Sequence, residues 1–265
     1  MNRPEGPLIP DVQSHPDTRE LAIDRVGIRN LRYPICFADG GGEPQQTIAS
    51  CSAYVALPAD RKGTHMSRLV AAIDELREPL SLATLPGVLD ALLVRLEADA
   101  GRLDIAFTWF IRKSAPVTGA QSMMDYEVRL VADVAPAKRS VEATIVVPVM
   151  SLCPSSKAIA DYGAHNQRSH LTLTVRPRPG AQITLAELIA LAEAEGSCEL
   201  YGLLKRADEK FVTERAYDRP RFVEDLVRGI AARLIDDTRL TGFSVAAENF
   251  ESIHNHSAYA EIVRG

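Results

Sequence analysis

KRSVEATIVVPVMSL, residues Lys138–Leu152, is the stretch where the order of elements begins a second time. Its β-branched residues and apolar centre, Ala143–Met150, read as a buried strand. The run falls far short of the roughly 20 apolar residues that a membrane helix needs. RSHLTLTVRPRP (168–179) alternates and is the next strand. TLAELIALAEAEG (184–196) reads as a helix with Thr184 as N-cap and glycine near its end. RPRFVEDLVRGIAARLIDDT (219–238) reads as a longer helix opening after Pro220, and LTGFSVAAENFESI and SAYAEIVRG close the chain as strands.

Upstream of Lys138 the same order occurs. LAIDRVGIRNLRYPICFA and QQTIASCSAYVALP are strands. HMSRLVAAIDELRE is an amphipathic helix with Leu69, Val70, Ile73 and Leu76 on its apolar face, and LPGVLDALLVRLEADA is a helix with proline in its first turn. RLDIAFTWFIRKSAP and QSMMDYEVRLVADV are long strands. Two tandem copies of ββααββ predict an α+β fold of antiparallel sheets with their helices on one face. The expected boundaries are a flexible lead-in over residues 1–20, a first module over 21–137 and a second over 138–265. Bare sheet edges invite pairing, so closure into a barrel by oligomerisation is expected, with sites between subunits.

The 265 residues are 46% hydrophobic and 25% charged with a formal net charge of −5, an ordinary globular balance that offers no basic field for nucleic acid. The proline-rich N-terminal stretch has no apolar run of the secretory kind, so a soluble cytoplasmic protein without membrane contact is expected. Cys36, Cys51, Cys153 and Cys198 are scattered without C-x-x-C spacing, which argues against a disulfide framework. Cys36 and Cys51 sit in strand-like text and read as small buried hydrophobes.

Cys153 differs. SLCPSSKAIADYGAHNQRSH (151–170) places it twelve residues before His165 among small and polar residues. A thiolate and an imidazole suit zinc and other borderline divalent ions. Twelve-residue spacing is no zinc signature, and on spacing alone a structural cysteine beside a surface histidine is the commoner reading. FESIHNHSAYAE carries His254 and His256 at i and i+2, with Glu251 nearby; histidines there suit proton transfer, or a polar hairpin turn. KGTHMSR offers Lys62 and Arg68 before a helix, either an anion site or a polar loop capped by Thr64 or Ser67. The run from Cys198 to Leu226 carries Glu199, Lys205, Arg206, Glu209, Glu214 and Glu224 and reads mainly as a solvated face. Glu224, flanked by apolar residues, reads as a half-buried carboxylate able to accept two parallel N–H bonds from a planar ligand.

Taken together, KGTHMSR, SLCPSSKAIADYGAHNQRS, LYGLLKRADEKFVTERAYDRPRFVED and ENFESIHNHSAYA resemble the signature blocks of the prokaryotic GTP cyclohydrolase I family of type IB, in the family's order. The resemblance implies a bimodular tunnelling fold assembled as a homotetramer. It implies conversion of GTP and water to 7,8-dihydroneopterin triphosphate and formate, the first step toward tetrahydrofolate. It further implies a divalent metal (manganese, zinc or iron) held by Cys153, His165 and Glu209, with Glu199 in reserve for the third position. Glu224 would anchor guanine; His254 and His256 would move protons, with Glu251 orienting one of them. Lys62, Arg68, Lys157, Arg168, Lys205 and Arg206 form the pool of cations for the triphosphate. Asn255 stands where the family often has proline. Two alternatives belong to other classes: an NADPH-dependent deazaguanine nitrile reductase of the same superfamily, using a cysteine nucleophile and no metal, and a purine- or pterin-binding module without catalysis.

Overall fold

Period-two alternation decides which face of each strand is dry, and here one row of apolar residues crosses six strands. The computed structural model describes residue 13 and residues 15–75, 78–136 and 138–265. The elements are β1 (Ile23–Phe37), β2 (Gln45–Leu57), α1 (Met66–Asp74), α2 (Leu85–Leu96), β3 (Gly101–Ser114), β4 (Gln121–Ala135), β5 (Lys138–Leu152), α3 (Pro154–Ile159), β6 (Asn166–Pro177), α4 (Leu185–Glu193), β7 (Cys198–Glu199), α5 (Arg206–Asp218), α6 (Val223–Leu234), β8 (Leu240–Asn249) and β9 (Ala258–Arg264). All nine strands form one antiparallel sheet in the order β1-β2-β3-β4-β5-β6-β8-β9, with β7 pairing onto β5. The row Cys51, Ile105, Leu130, Ala143, Val175 and Phe243 is in register across β2 to β8, and every member is buried.

α1, α2, α4 and α6 cover that face, and their apolar sides join a single core with it. Leu85, Leu89, Leu92, Leu93 and Leu96 of α2 are all buried; each fully buried leucine contributes about 1.5–3 kcal/mol. The opposite face carries paired polar groups: Arg102 with Asp133 at 2.9 Å, Arg129 with Asp104 at 2.8 Å, Arg176 with Glu142 at 3.1 Å and Thr144 with Thr174 at 2.9 Å. The architecture is therefore α+β with helices on one face, as the tandem ββααββ reading expects.

Three elements go beyond that reading. α3 is six residues long and β7 two, too short for any periodicity to register. α5 is a full helix in charge-rich text, and it buries only Asp208, Val212 and Ala216, so no apolar stripe announces it. Other details follow the chain closely. Thr184 caps α4, its hydroxyl accepting from Glu187 N–H at 3.2 Å. α6 opens at Val223, three residues after Pro220. Cys51 is fully buried, whereas Cys36 is only half-buried. Leu76 and residues 1–12 of the lead-in lie outside the described residues. Further along the lead-in, the Gln13 and His15 carbonyls accept from the Gly63 and Lys62 N–H groups, tying these two residues to the loop before α1. Among the described residues no helix is long and apolar enough to cross a membrane.

Candidate active site

The dry stripe of three neighbouring strands turns polar at one end of the sheet. In β5 the buried series Ala143, Ile145, Val147, Val149 continues into Ser151. In β6 the series Val175, Leu173, Leu171 continues, toward the strand's start, into Ser169 and Gln167. In β8 Val245 and Ala247 continue into Asn249. Antiparallel pairing puts these ends together: Ser151 faces Gln167, and Ser169 faces Asn249. Two residues beyond these polar groups, just past the strand ends, stand Cys153, His165 and Glu251, each partly buried. Alternation places side chains two residues apart on the same face, so the three groups come off the sheet at one corner.

Local chemistry holds them there. The Cys153 N–H donates to the His165 carbonyl at 3.1 Å, extending the β5–β6 ladder by one bond. Cys153 is also the N-cap of α3: its Sγ accepts from Ser156 N–H at 3.4 Å, and Pro154 occupies the first turn. The Ser156 hydroxyl in turn accepts from the His165 N–H at 3.2 Å. His165 Nδ1 lies 3.0 Å from Gln167 Oε1 and 3.7 Å from Glu251 Oε2. The Glu251 carboxylate thus faces His165, while its main-chain carbonyl accepts from the His254 N–H at 3.4 Å. Thiol, imidazole and carboxylate are ligand types suited to a borderline divalent ion, but among the described residues no group of three or more His, Cys, Asp or Glu side chains is placed to hold a metal ion.

The remaining expected residues fall in several places. His254 and His256 are exposed in the β8–β9 turn, not on a strand, and their rings stack at 5.0 Å between centroids. Glu209 is exposed on the first turn of α5, directly after the fully buried Asp208. Glu199 is engaged by Arg215 at 3.0 Å, and the Cys198 thiol points to its other oxygen at 3.6 Å. Glu224 is exposed in the first turn of α6, not half-buried, because Val223 and Leu226 alone take that turn's inward positions. Lys157 stands over the Tyr217 ring at 4.1 Å and donates to the Tyr217 carbonyl. Lys62, Arg68, Arg168, Lys205 and Arg206 are exposed. The cap of α1 is His65, with no side-chain capping bond from it, so neither Thr64 nor Ser67 takes that role.

Sequence reasoning missed five residues here. Ser151, Gln167, Ser169 and Asn249 are buried polar groups occupying core-register positions, and that break in an apolar series was the legible signal. Arg221 gave no signal. Its N–H donates to the Leu152 carbonyl at 2.9 Å, which sets the entry of α6 against the end of β5. Its Nε is, among the described residues, the one buried side-chain nitrogen or oxygen without a hydrogen-bond partner.

The fold is shared with solved structures. A hyperthermostable mutant of urate oxidase from Bacillus sp. TB-90 superposes with a TM-score of 0.52 at 7% identity, covering 91% of this chain and 98% of that one. Another urate oxidase structure from the same source gives 0.51 at 8% identity, over 92% and 100%. At that identity the likeness concerns architecture alone: a tunnelling fold, with antiparallel sheet and helices in tandem. Residues 9–260 match the family described as type I GTP cyclohydrolase folE2, and the chain belongs to that family. The GTP cyclohydrolase FolE2 of Ralstonia nicotianae is 54% identical over 259 residues, 98% of this chain and 96% of the relative. That of Paraburkholderia xenovorans is 53% identical over 257 residues, 97% and 95% respectively.

Proposed function

We propose that this protein is a GTP cyclohydrolase, opening the imidazole ring of GTP with water to give 7,8-dihydroneopterin triphosphate and formate. The observation that supports it most directly is the meeting of Cys153, His165 and Glu251 at one sheet corner in a chain of this family. Relatives at 50–54% identity carry that activity in their names, and nothing favours nitrile reduction or ligand binding without catalysis.

Cys153 and His165 would hold a divalent ion, with Glu251 as the carboxylate nearest to hand. When bound, such an ion lowers the pKa of water and polarises the C8 region of guanine. Glu209, exposed on α5, is free to serve the site of a neighbouring copy; such sharing accords with a homotetramer whose sheet edges, β1 and β9, pair between copies. Glu224 would accept from the guanine ring N–H and exocyclic amine. Adenine cannot offer that pair of donors, so the carboxylate selects guanine. Ring opening, formate release and ribose rearrangement each move protons, and His254 and His256, three and five residues beyond Glu251, stand in the turn to carry them. Arg221 adds a cation beside the end of β5 to the triphosphate pool of Lys62, Arg68, Lys157, Arg168, Lys205 and Arg206. The same reading puts the protein in the cytoplasm, at the first step toward tetrahydrofolate.

The test is turnover of GTP by protein stripped with chelator and resupplied separately with manganese, zinc or iron, following pterin fluorescence and formate. Restoration by metal, lost in Cys153→Ala, is expected. No turnover with any of these ions would overturn the assignment.

A further inference from the structure

We infer that Gln167 is a positioning residue that sets the tautomer of His165, leaving Nε2 as the ring nitrogen that binds metal. The inference rests on the proposed metal role of Cys153 and His165. It starts from a buried chain of hydrogen bonds with a single sense. The Ser169 hydroxyl donates to Asn249 Oδ1 at 2.7 Å, which uses its only proton. The contact between Ser169 and Ser151 oxygens, 2.7 Å, must therefore be made by the Ser151 proton. Ser151 is then an acceptor toward Gln167 Nε2, also at 2.7 Å. With its amide nitrogen committed to Ser151, Gln167 turns its Oε1 to His165 Nδ1 at 3.0 Å.

A carbonyl oxygen facing Nδ1 requires a proton on that nitrogen. The Glu251 carboxylate, an acceptor only, faces the same nitrogen at 3.7 Å and asks for the same tautomer. The reverse sense, with the Gln167 amide nitrogen against the ring, would set a bare Nδ1 lone pair beside that carboxylate. In the neutral ring the free lone pair is then on Nε2. Ser151 and Ser169 are fully buried, Asn249 is 2% exposed and Gln167 7%, so water does not compete for these bonds. Ligating histidines in proteins generally donate their other N–H to an acceptor of this kind, which fixes ring orientation and basicity. Here the acceptor is an amide whose own orientation is relayed through Ser151 and Ser169 from Asn249 on the neighbouring strand β8.

Two measurements decide it. The first is manganese affinity of the full-length protein, with thermal stability recorded alongside. Gln167→Leu is expected to weaken binding by about 10- to 100-fold. Gln167→Glu, which keeps an oxygen toward Nδ1, is expected to hold near wild-type affinity even where its buried charge lowers the melting temperature. A purely structural glutamine would destabilise in both variants and leave affinity alone. Wild-type affinity in Gln167→Leu, or equal loss in both variants, overturns the inference. The second needs neither metal nor GTP: long-range 1H–15N correlation on 15N-histidine-labelled, metal-free protein, with His165 assigned by its loss in His165→Asn. An Nδ1-protonated ring is expected, and an Nε2-protonated ring overturns the inference. Because this readout is independent of turnover, failure of the cyclohydrolase assay and failure of the tautomer assignment are separable.

Discussion

The Thr118 hydroxyl donates to Asp208 Oδ2 at 2.6 Å, joining the β3–β4 hairpin of the first half of the chain to the start of α5 in the second. The Val117 and Thr118 N–H groups each reach Asp208 Oδ1 at 2.9 Å, and Lys205 N–H reaches Oδ2 at 3.0 Å. Asp208 is fully buried, so the carboxylate exchanges water for four donors. Nearby, Lys113 of β3 donates to the Leu200 carbonyl at 2.8 Å and pairs with Glu193 at 2.6 Å. The segment leading to Glu209 is thus laid down on the β3–β4 hairpin.

Removing this carboxylate orphans three backbone N–H groups. Asp208→Ala is expected to lower the melting temperature by about 5 °C or more, and Asp208→Asn by less. The effect depends on pH. Burial pushes the Asp208 carboxyl up, but the hydrogen bonds from Thr118, Lys205 and Val117 outweigh it and hold the group below the usual carboxylate range. A carboxyl depressed in the folded state contributes stability above its unfolded value, near 4, and loses it as pH falls toward the folded value. Urea midpoints of wild type and Asp208→Asn should therefore differ at pH 7 and converge as the pH drops below 4. A gap that is constant with pH would contradict this account.

Thiol reactivity separates the cysteines. Burial pushes Cys51 up to about 11, and burial together with the Glu199 charge does the same for Cys198. At pH 8 a thiol with such a value is only about 0.1% thiolate. Cys51 and Cys198 should resist a disulfide reagent in the native protein, while half-buried Cys153 reacts and is protected by added manganese. Mass spectrometry of the labelled peptides reads the outcome directly. Rapid labelling of Cys198 would show that the β7–α5 cluster around it opens.

Arg221 is a test of substrate contact. A buried guanidinium Nε without an acceptor is costly, and a phosphate oxygen would satisfy it. Arg221→Met is expected to raise KM for GTP about tenfold, equivalent to about 1.4 kcal/mol, with little change in kcat. Competitive binding of guanosine, which lacks phosphates, should be unchanged. Equal weakening of guanosine would place the side chain's role in folding of the loop before α6.

Much of this architecture is legible along the chain. β5 reads as a strand from its own apolar run, and Thr184 announces the start of α4, because both signals are local. α5 is not legible in the same way: its stability comes from Asp208 and a small cluster around Cys198, Val212 and Ala216, contacts made with distant residues. The candidate site is half legible. Cys153 and His165 stand out by residue type, and the family blocks around them resemble those of known cyclohydrolases. Glu251 reads as a partner of His254 or His256, its neighbours in sequence, because proximity along the chain cannot reveal that β6 lies beside β8.

Sequence alone determined the two runs of long strands and apolar helices, though not α3, α5 or β7, and the resemblance to a family, since alternation and motif blocks are properties of short stretches. Tertiary structure alone decided that Cys153, His165 and Glu251 share one corner, and that Asn249, Ser169, Ser151 and Gln167 join in one buried run of hydrogen bonds. The physical reason is register. Pairing of β5, β6 and β8 is fixed by backbone hydrogen bonds and a common core spanning about a hundred residues of chain, and a shift of one residue would turn every one of these side chains to the other face.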